Sequence, residues 1–172
     1  VKSPFALFGH SMGALLSFEL TRELRRNGQA GPVHLFVSGR GAPHHPDPSK
    51  PIHHLPDAEF KEELKRLNGT PQQVMGNPEL MELMLPMLRS DFAICETYRY
   101  ADEQPLECSI TAYGGTHDPE VELKALEAWC EQTNGSFKKR MLPGDHFFLQ
   151  ASQSGFLRMF DEDLRKVMAK NG

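Results

Sequence analysis

The chain has 172 residues, room for one domain or two small ones and for a core that needs no covalent staples. Its 39% hydrophobic and 24% charged residues are the mix of a folded globular protein and not of a disordered one. The net charge of −4, from 19 basic and 23 acidic residues, argues against a nucleic-acid partner, and no apolar run approaches the ~20 residues of a membrane span. The cysteines, Cys95, Cys108 and Cys130, form no C-x-x-C. Neither a disulfide framework nor a zinc site is expected, but buried or half-buried free thiols in a reducing cytoplasm.

The first element is the apolar run Pro4–Phe8, read as a buried strand ending at Gly9. A helix follows from Gly13 to Asn27, with Leu16, Leu20 and Leu24 as its apolar face. Asn27-Gly28 closes it, and Val33–Val37 is the next strand. This β–α–β grammar predicts a parallel α/β sheet. The grammar then breaks at a loop holding Pro43, Pro46, Pro48, Pro51 and Pro56. A helix is expected with Asp57 as cap and Phe60, Leu64 and Leu67 on one face, ending at Asn68-Gly69. Another begins at Asn77-Pro78, and Pro86 is expected to kink or break it before a further helix from Ser90 to Tyr100.

Residues 42–100 therefore read as a helical lid inserted into a core made of 1–41 and 101–172. Met75, Met81, Met84 and Met87 fall in the lid. They suit either an adaptable ligand surface or plain packing. After it come a strand at Ser109–Tyr113, a loop through Gly114–Asp118 and a helix from Glu120 to Asn134. A last strand, Phe137–Leu142, leads to a loop at Pro143–His146 and a final helix with Phe156, Phe160 and Leu164 inward.

Gly9-His10-Ser11-Met12-Gly13 matches G-x-S-x-G. In that pattern a serine sits on a strained strand-to-helix turn, and the flanking glycines let strand and helix approach. An apolar strand before it and an amphipathic helix after it are the context the motif requires. Such a serine needs a base and an orienting carboxylate, in chain order Ser, Asp or Glu, His. Asp118 and His146 both lie on loops after later strands and in that order. The competing histidines are worse placed. His10 lies inside the turn and His34 inside a strand; His44, His45, His53 and His54 are in the Pro-rich loop, and His117 adjoins the carboxylate. Asp118 is preferred to Asp145, which adjoins the histidine, and to Asp91, which lies in the lid. The paired histidines carry no ligand pattern, and no metal is expected. Arg25-Arg26 and Lys138-Lys139-Arg140 read as solvated faces, with contact to an acidic carrier or its phosphate as the alternative. From residues alone the chain is a serine hydrolase with a lid.

Together, Phe8–Gly13, the Pro-rich loop and lid, Leu88-Arg89-Ser90-Asp91, Gly114–Asp118 and Gly144-Asp145-His146-Phe147 resemble the type II thioesterases. These are the α/β-hydrolase editing enzymes of nonribosomal peptide and polyketide synthesis. The chain is also similar to the animal medium-chain fatty-acid synthase thioesterase. The resemblance implies Ser11 as nucleophile, Asp118 as orienting acid, His146 as base and the Met12 backbone N–H as an oxyanion donor. It implies acyl groups carried on the phosphopantetheine arm of an acyl or peptidyl carrier protein, no further cofactor and a monomer. The alternatives are a general carboxylesterase or lipase of the same fold, and a non-catalytic acyl- or carrier-binding fragment. The expected architecture is the C-terminal portion of an α/β-hydrolase, its N-terminal strands and second oxyanion donor lying upstream of the present chain.

Overall fold

Apolar runs separated by amphipathic helices fold here into a parallel sheet. The computed structural model describes residues 3–46, 49–67 and 69–171. Strands β1 (Ala6–His10), β2 (His34–Ser38), β3 (Ser109–Gly115) and β4 (Phe137–Leu142) pair in sequence order. Every pairing is parallel, so all their C-terminal ends lie at one edge of the sheet, where a parallel α/β sheet offers its binding crevice. The chain divides into two compact units, one of Val1–Asp47 with Tyr100–Gly172 and one of Pro48–Arg99.

In the sheet unit, strand β2 is buried along its whole length. Leu35 and Val37 enter one cluster with Ala14, Phe18, Ile110, Leu126 and Trp129. Phe36 points the other way, into a cluster with Tyr113, Leu142, Phe148 and Phe156. This is the period-two alternation of a strand covered on both faces. Burial of each large apolar side chain contributes roughly 1.5–3 kcal/mol. Trp129 keeps its one polar atom satisfied, since Nε1–H donates to the Arg40 carbonyl at 2.8 Å.

Helix α1 (Met12–Arg26) forms where the periodicity predicts, but on a different face. Its buried residues are Ala14, Leu15, Phe18, Thr21 and Arg22, while Leu16 and Leu20 are exposed. The reason lies at Arg22, whose side chain is only 2% exposed. Its guanidinium pairs with Glu19 and Glu103, both at 2.7 Å, and lies over the rings of Phe18 and Tyr100. A cation this well paired takes a core position that a polarity pattern gives to leucine.

The predicted long helix after Asp118 is shorter. Helix α5 covers Leu123–Glu127 and passes into a 3-10 turn at Ala128–Gln132. The chain turns early because Leu106 N–H donates to the Gln132 carbonyl and Asn134 N–H to the Leu106 carbonyl. Short helix α6 (Phe148–Ala151) precedes α7 (Gln153–Asn171). On α7, buried Asp163 accepts from Lys138 at 2.6 Å, Arg140 at 2.8 Å and the Tyr113 hydroxyl at 3.0 Å. Lys138 and Arg140 thus stay partly exposed while pairing with the buried Asp163, and Lys139 pairs with Glu127 at 2.5 Å. The free thiols Cys95 and Cys108 are half-buried, but Cys130 is exposed, contrary to the sequence expectation.

The other unit holds α2 (Asp57–Leu67), α3 (Gln72–Met75) and α4 (Pro78–Thr97). Pro48 and Asn68, part of the Pro-rich loop and of the helix stop read from sequence, lie outside the described residues. Asp57 is the first residue of α2 and not its cap; its carboxylate accepts from Arg89 at 2.6 Å instead. Asn77 does cap α4, its side chain accepting from Leu80 N–H at 3.1 Å. The predicted break at Pro86 does not occur, and α4 runs through it to Thr97. Proline removes one backbone bond, but Met81 and Leu85 anchor the turn before it in a core with Phe60, Leu64 and Ile52. Beyond it, Glu96 accepts the backbone N–H groups of Ile52 and His53. Met81 is buried, Met75 and Met84 are partly buried, and Met87 is exposed.

Candidate active site

The turn from β1 into α1 is the strained element of the sheet unit. Ser11 has φ 52 and ψ −117 and is the one positive-φ residue other than glycine among those described. Such a conformation costs about 1–3 kcal/mol and persists only where the surroundings impose it. Here they do. Ser11 N–H donates to the Ser38 carbonyl at 2.8 Å, and Ala14 N–H to the Ser11 carbonyl at 3.0 Å. A β-carbon on Gly9 would sit 2.0 Å from the Gly13 carbonyl oxygen, so only glycine fits there. A β-carbon on Gly13 would meet nothing; this second glycine of the motif is not required by space. Ser11 occupies the cap position of α1, yet its side chain makes no capping bond.

The loops after β3 and β4 meet beside this turn. Thr116 N–H donates to the Leu142 carbonyl at 2.8 Å and His117 N–H to that of Gly144 at 2.9 Å. Gly115 makes the approach possible, since a β-carbon there would lie 2.3 Å from the Asp145 carbonyl oxygen. Asp118 and His146 come together as a result. His146 Nδ1 donates to Asp118 Oδ2 at 3.0 Å, with the carboxylate side chain 1% and the imidazole 14% exposed. The other oxygen, Asp118 Oδ1, accepts from Glu120 N–H at 2.9 Å. A buried carboxylate held on both oxygens fixes the tautomer of the histidine it binds, leaving Nε2 as the basic nitrogen.

The structure separates the competitors. Asp145 is exposed and accepts from Phe147 N–H, opening α6. Asp91 belongs to the helical unit. His34 is buried against Thr111, His44 binds Glu131 and Gln132, His53 binds Glu96, and His117 binds Thr116. No group of three or more His, Cys, Asp or Glu is placed to hold a metal among the described residues. Between Ser11 and His146 no direct hydrogen bond is formed among the described contacts. His10, the residue before Ser11, lies against His146, with ring centroids 5.1 Å apart.

Inside the motif itself, His10 is a histidine the sequence places poorly for a base. It proves to be half-buried there, its Nδ1 hydrogen-bonded to Ser38 Oγ at 2.9 Å. Burial first, and then the neighbouring His146, lowers its pKa to about 4, against a smaller opposing effect of Asp118. The one available signal was Gly39 directly after β2. Its φ is +58, and a β-carbon there would lie 2.5 Å from the His10 ring.

A parallel sheet whose first strand turns through a strained Ser11 into a helix, with an Asp–His pair on the loops after its last two strands, is an α/β thioesterase fold. The sequence matches the thioesterase-domain family model over residues 1–164, and the chain belongs to that family, as its motifs suggested. It is 51% identical over 168 residues to a Brevibacillus parabrevis protein named linear gramicidin dehydrogenase LgrE, across 96% of this chain and 64% of that one. It is 49% identical over 169 residues to gramicidin S biosynthesis protein GrsT of Aneurinibacillus migulanus, across 98% of this chain and 66% of that one. Among solved structures it is similar to the type II thioesterase BorB from the borrelidin biosynthetic cluster. The TM-score is 0.83 at 40% identity, over 94% of this chain and 66% of that one. The chain thus spans just under two thirds of the length of the curated relatives named here. No helix among the described residues is long and apolar enough to cross a membrane.

Proposed function

We propose that the protein is a cytoplasmic thioesterase that hydrolyses acyl groups from the phosphopantetheine arm of acyl or peptidyl carrier proteins. The observation that carries this reading is the buried Asp118–His146 hydrogen bond of 3.0 Å, beside the strained turn that presents Ser11. In this mechanism Ser11 Oγ attacks the thioester carbon while His146 Nε2 takes its proton. The negative charge that forms on the carbonyl oxygen is met by the Met12 N–H, at the start of α1 where backbone donors have no partner within the helix. Collapse breaks the C–S bond, and the leaving thiolate takes the proton from His146. Water then attacks the acyl-serine and gives its proton to His146, which passes it to Ser11 Oγ as the acyl C–O bond breaks, releasing the carboxylic acid and restoring Ser11.

The segment 42–100 is assigned the role of lid, its methionines suiting acyl chains of varied shape. No cofactor beyond the carrier's own arm is invoked. One relative is named a dehydrogenase, but the present sequence holds no G-x-G-x-x-G. The turn after its first strand carries a serine where a dinucleotide site carries glycines. The test follows the intact mass of an acylated carrier protein. Loss of the acyl mass with wild type, and none with Ser11→Ala, is the expected result. Turnover of a simple oxygen ester with the carrier untouched would replace this reading by a general esterase, and no reaction with either by a binding module.

A further inference from the structure

We propose that His10 is a positioning residue that holds the ring of His146 in the orientation needed for proton exchange with Ser11; this rests on the function proposed above. The hydrogen bond to Asp118 fixes one atom of the His146 ring. The ring is otherwise held only through its own Cβ, and a small rotation about Cα–Cβ, or a small shift of the loop, carries Nε2, an atom far from the backbone, furthest. Two ring contacts restrict that motion. Phe147 meets His146 edge-on at 5.2 Å and 83°, and His10 lies against it at 5.1 Å and 46°. Catalysis is sensitive to displacements on this scale, since about 1 Å of misplacement costs about a hundredfold in rate.

The slot around His10 is built to hold an imidazole still. Ser38 Oγ binds its Nδ1, Phe148 packs edge-on against it at 5.9 Å, and Gly39 leaves room that any β-carbon would fill. Its Nε2 is buried without a hydrogen-bond partner among the described residues, an arrangement that stability alone does not favour. The titratable and charged groups acting on it are His146 and Asp118, both from the site itself. Burial keeps His10 neutral down to about pH 4. It therefore adds no positive charge beside His146 at the moment that ring accepts the Ser11 proton.

The test compares His10→Asn, which keeps a hydrogen-bonding group near Nδ1 but removes the ring, with His10→Phe, which keeps a ring and removes the polar atoms. The steady-state kinetics of thioester hydrolysis and the low-field proton resonance of the His146–Asp118 hydrogen bond are measured in each. The His10→Asn variant is expected to lose about tenfold in kcat with KM within about twofold, and to broaden that resonance. His10→Phe is expected to recover kcat to within about threefold of wild type. Wild-type kcat in His10→Asn, a loss confined to KM, or a His10→Phe no better than His10→Asn overturns the proposal. Should His10→Asn not fold, Ser38→Ala removes the Nδ1 partner, and an unchanged kcat there overturns it equally. An inactive wild type marks failure of the functional reading; an active one indifferent to these variants marks failure of this inference.

Discussion

At Gly115 a β-carbon would sit 2.3 Å from the Asp145 carbonyl oxygen and 2.6 Å from that of Gly144. Both oxygens are backbone, so a methyl group there must displace the turn that carries His146. Gly115→Ala is predicted to lower kcat about a hundredfold while the far-ultraviolet circular dichroism stays native. Steady-state kinetics on the folded variant check this, and a wild-type rate would contradict it. At this scale the sequence was most informative where chemistry restricts residue type. The G-x-S-x-G spacing located Ser11, and chain order selected the Asp118 and His146 that the fold brings within a hydrogen bond. It was silent where the partner is distant in the chain. Nothing near Arg22 announces Glu103, and nothing near His10 announces Ser38.

Helix α7 is tied to the sheet by one buried carboxylate. Burial alone would raise the pKa of Asp163, but hydrogen bonds from Arg140, Lys138 and Tyr113 outweigh it and hold the carboxyl well below the usual range. Asp163→Asn keeps the volume and leaves Lys138 and Arg140 without their counter-charge. A loss of about 3 kcal/mol in unfolding free energy is expected, because breaking a buried pair strands its partner. Urea unfolding measures it, and a change within error of zero would contradict the assignment. Elements were legible where apolar runs are continuous. β4 spans Phe137–Leu142, as read from sequence, and β3 extends the predicted strand by two residues. Helix faces were less so. Counting leucines put Leu16 and Leu20 inward on α1, whereas the salt-bridged Arg22 turned the helix to bury Ala14, Leu15 and Phe18. Pro86 lies within a continuous α4, since packing and Glu96 on either side of it offset one lost backbone bond.

For the molecule as a whole, two histidines, His34 buried and His10 half-buried, set an acid limit. Burial is the main cause at both, and it lowers His10 and His34 to about 4 from the ordinary 6.5. Between those values the unfolded chain binds protons that the folded protein refuses. Their contribution is thus complete above about pH 6.5 and is lost as pH falls toward 4, by up to about 1.4 kcal/mol per pH unit for each histidine. Glu103 acts lower. Hydrogen bonds, from Arg26 first, hold it at about 2, so its contribution is present above its ordinary pKa of 4.5 and fades below that. The urea midpoint is therefore expected to fall from pH 7 to pH 5, and less steeply in His34→Gln. A flat midpoint over that range would show that neither imidazole is held neutral.

The central claim is that Ser11 is a nucleophile activated by His146 and Asp118. Its most direct test is the intact mass of the protein after a fluorophosphonate. One adduct is predicted, on the peptide that contains Ser11, with labelling slowed at least about a hundredfold in His146→Ala. An adduct at another residue, or equal labelling of the two proteins, would contradict the account.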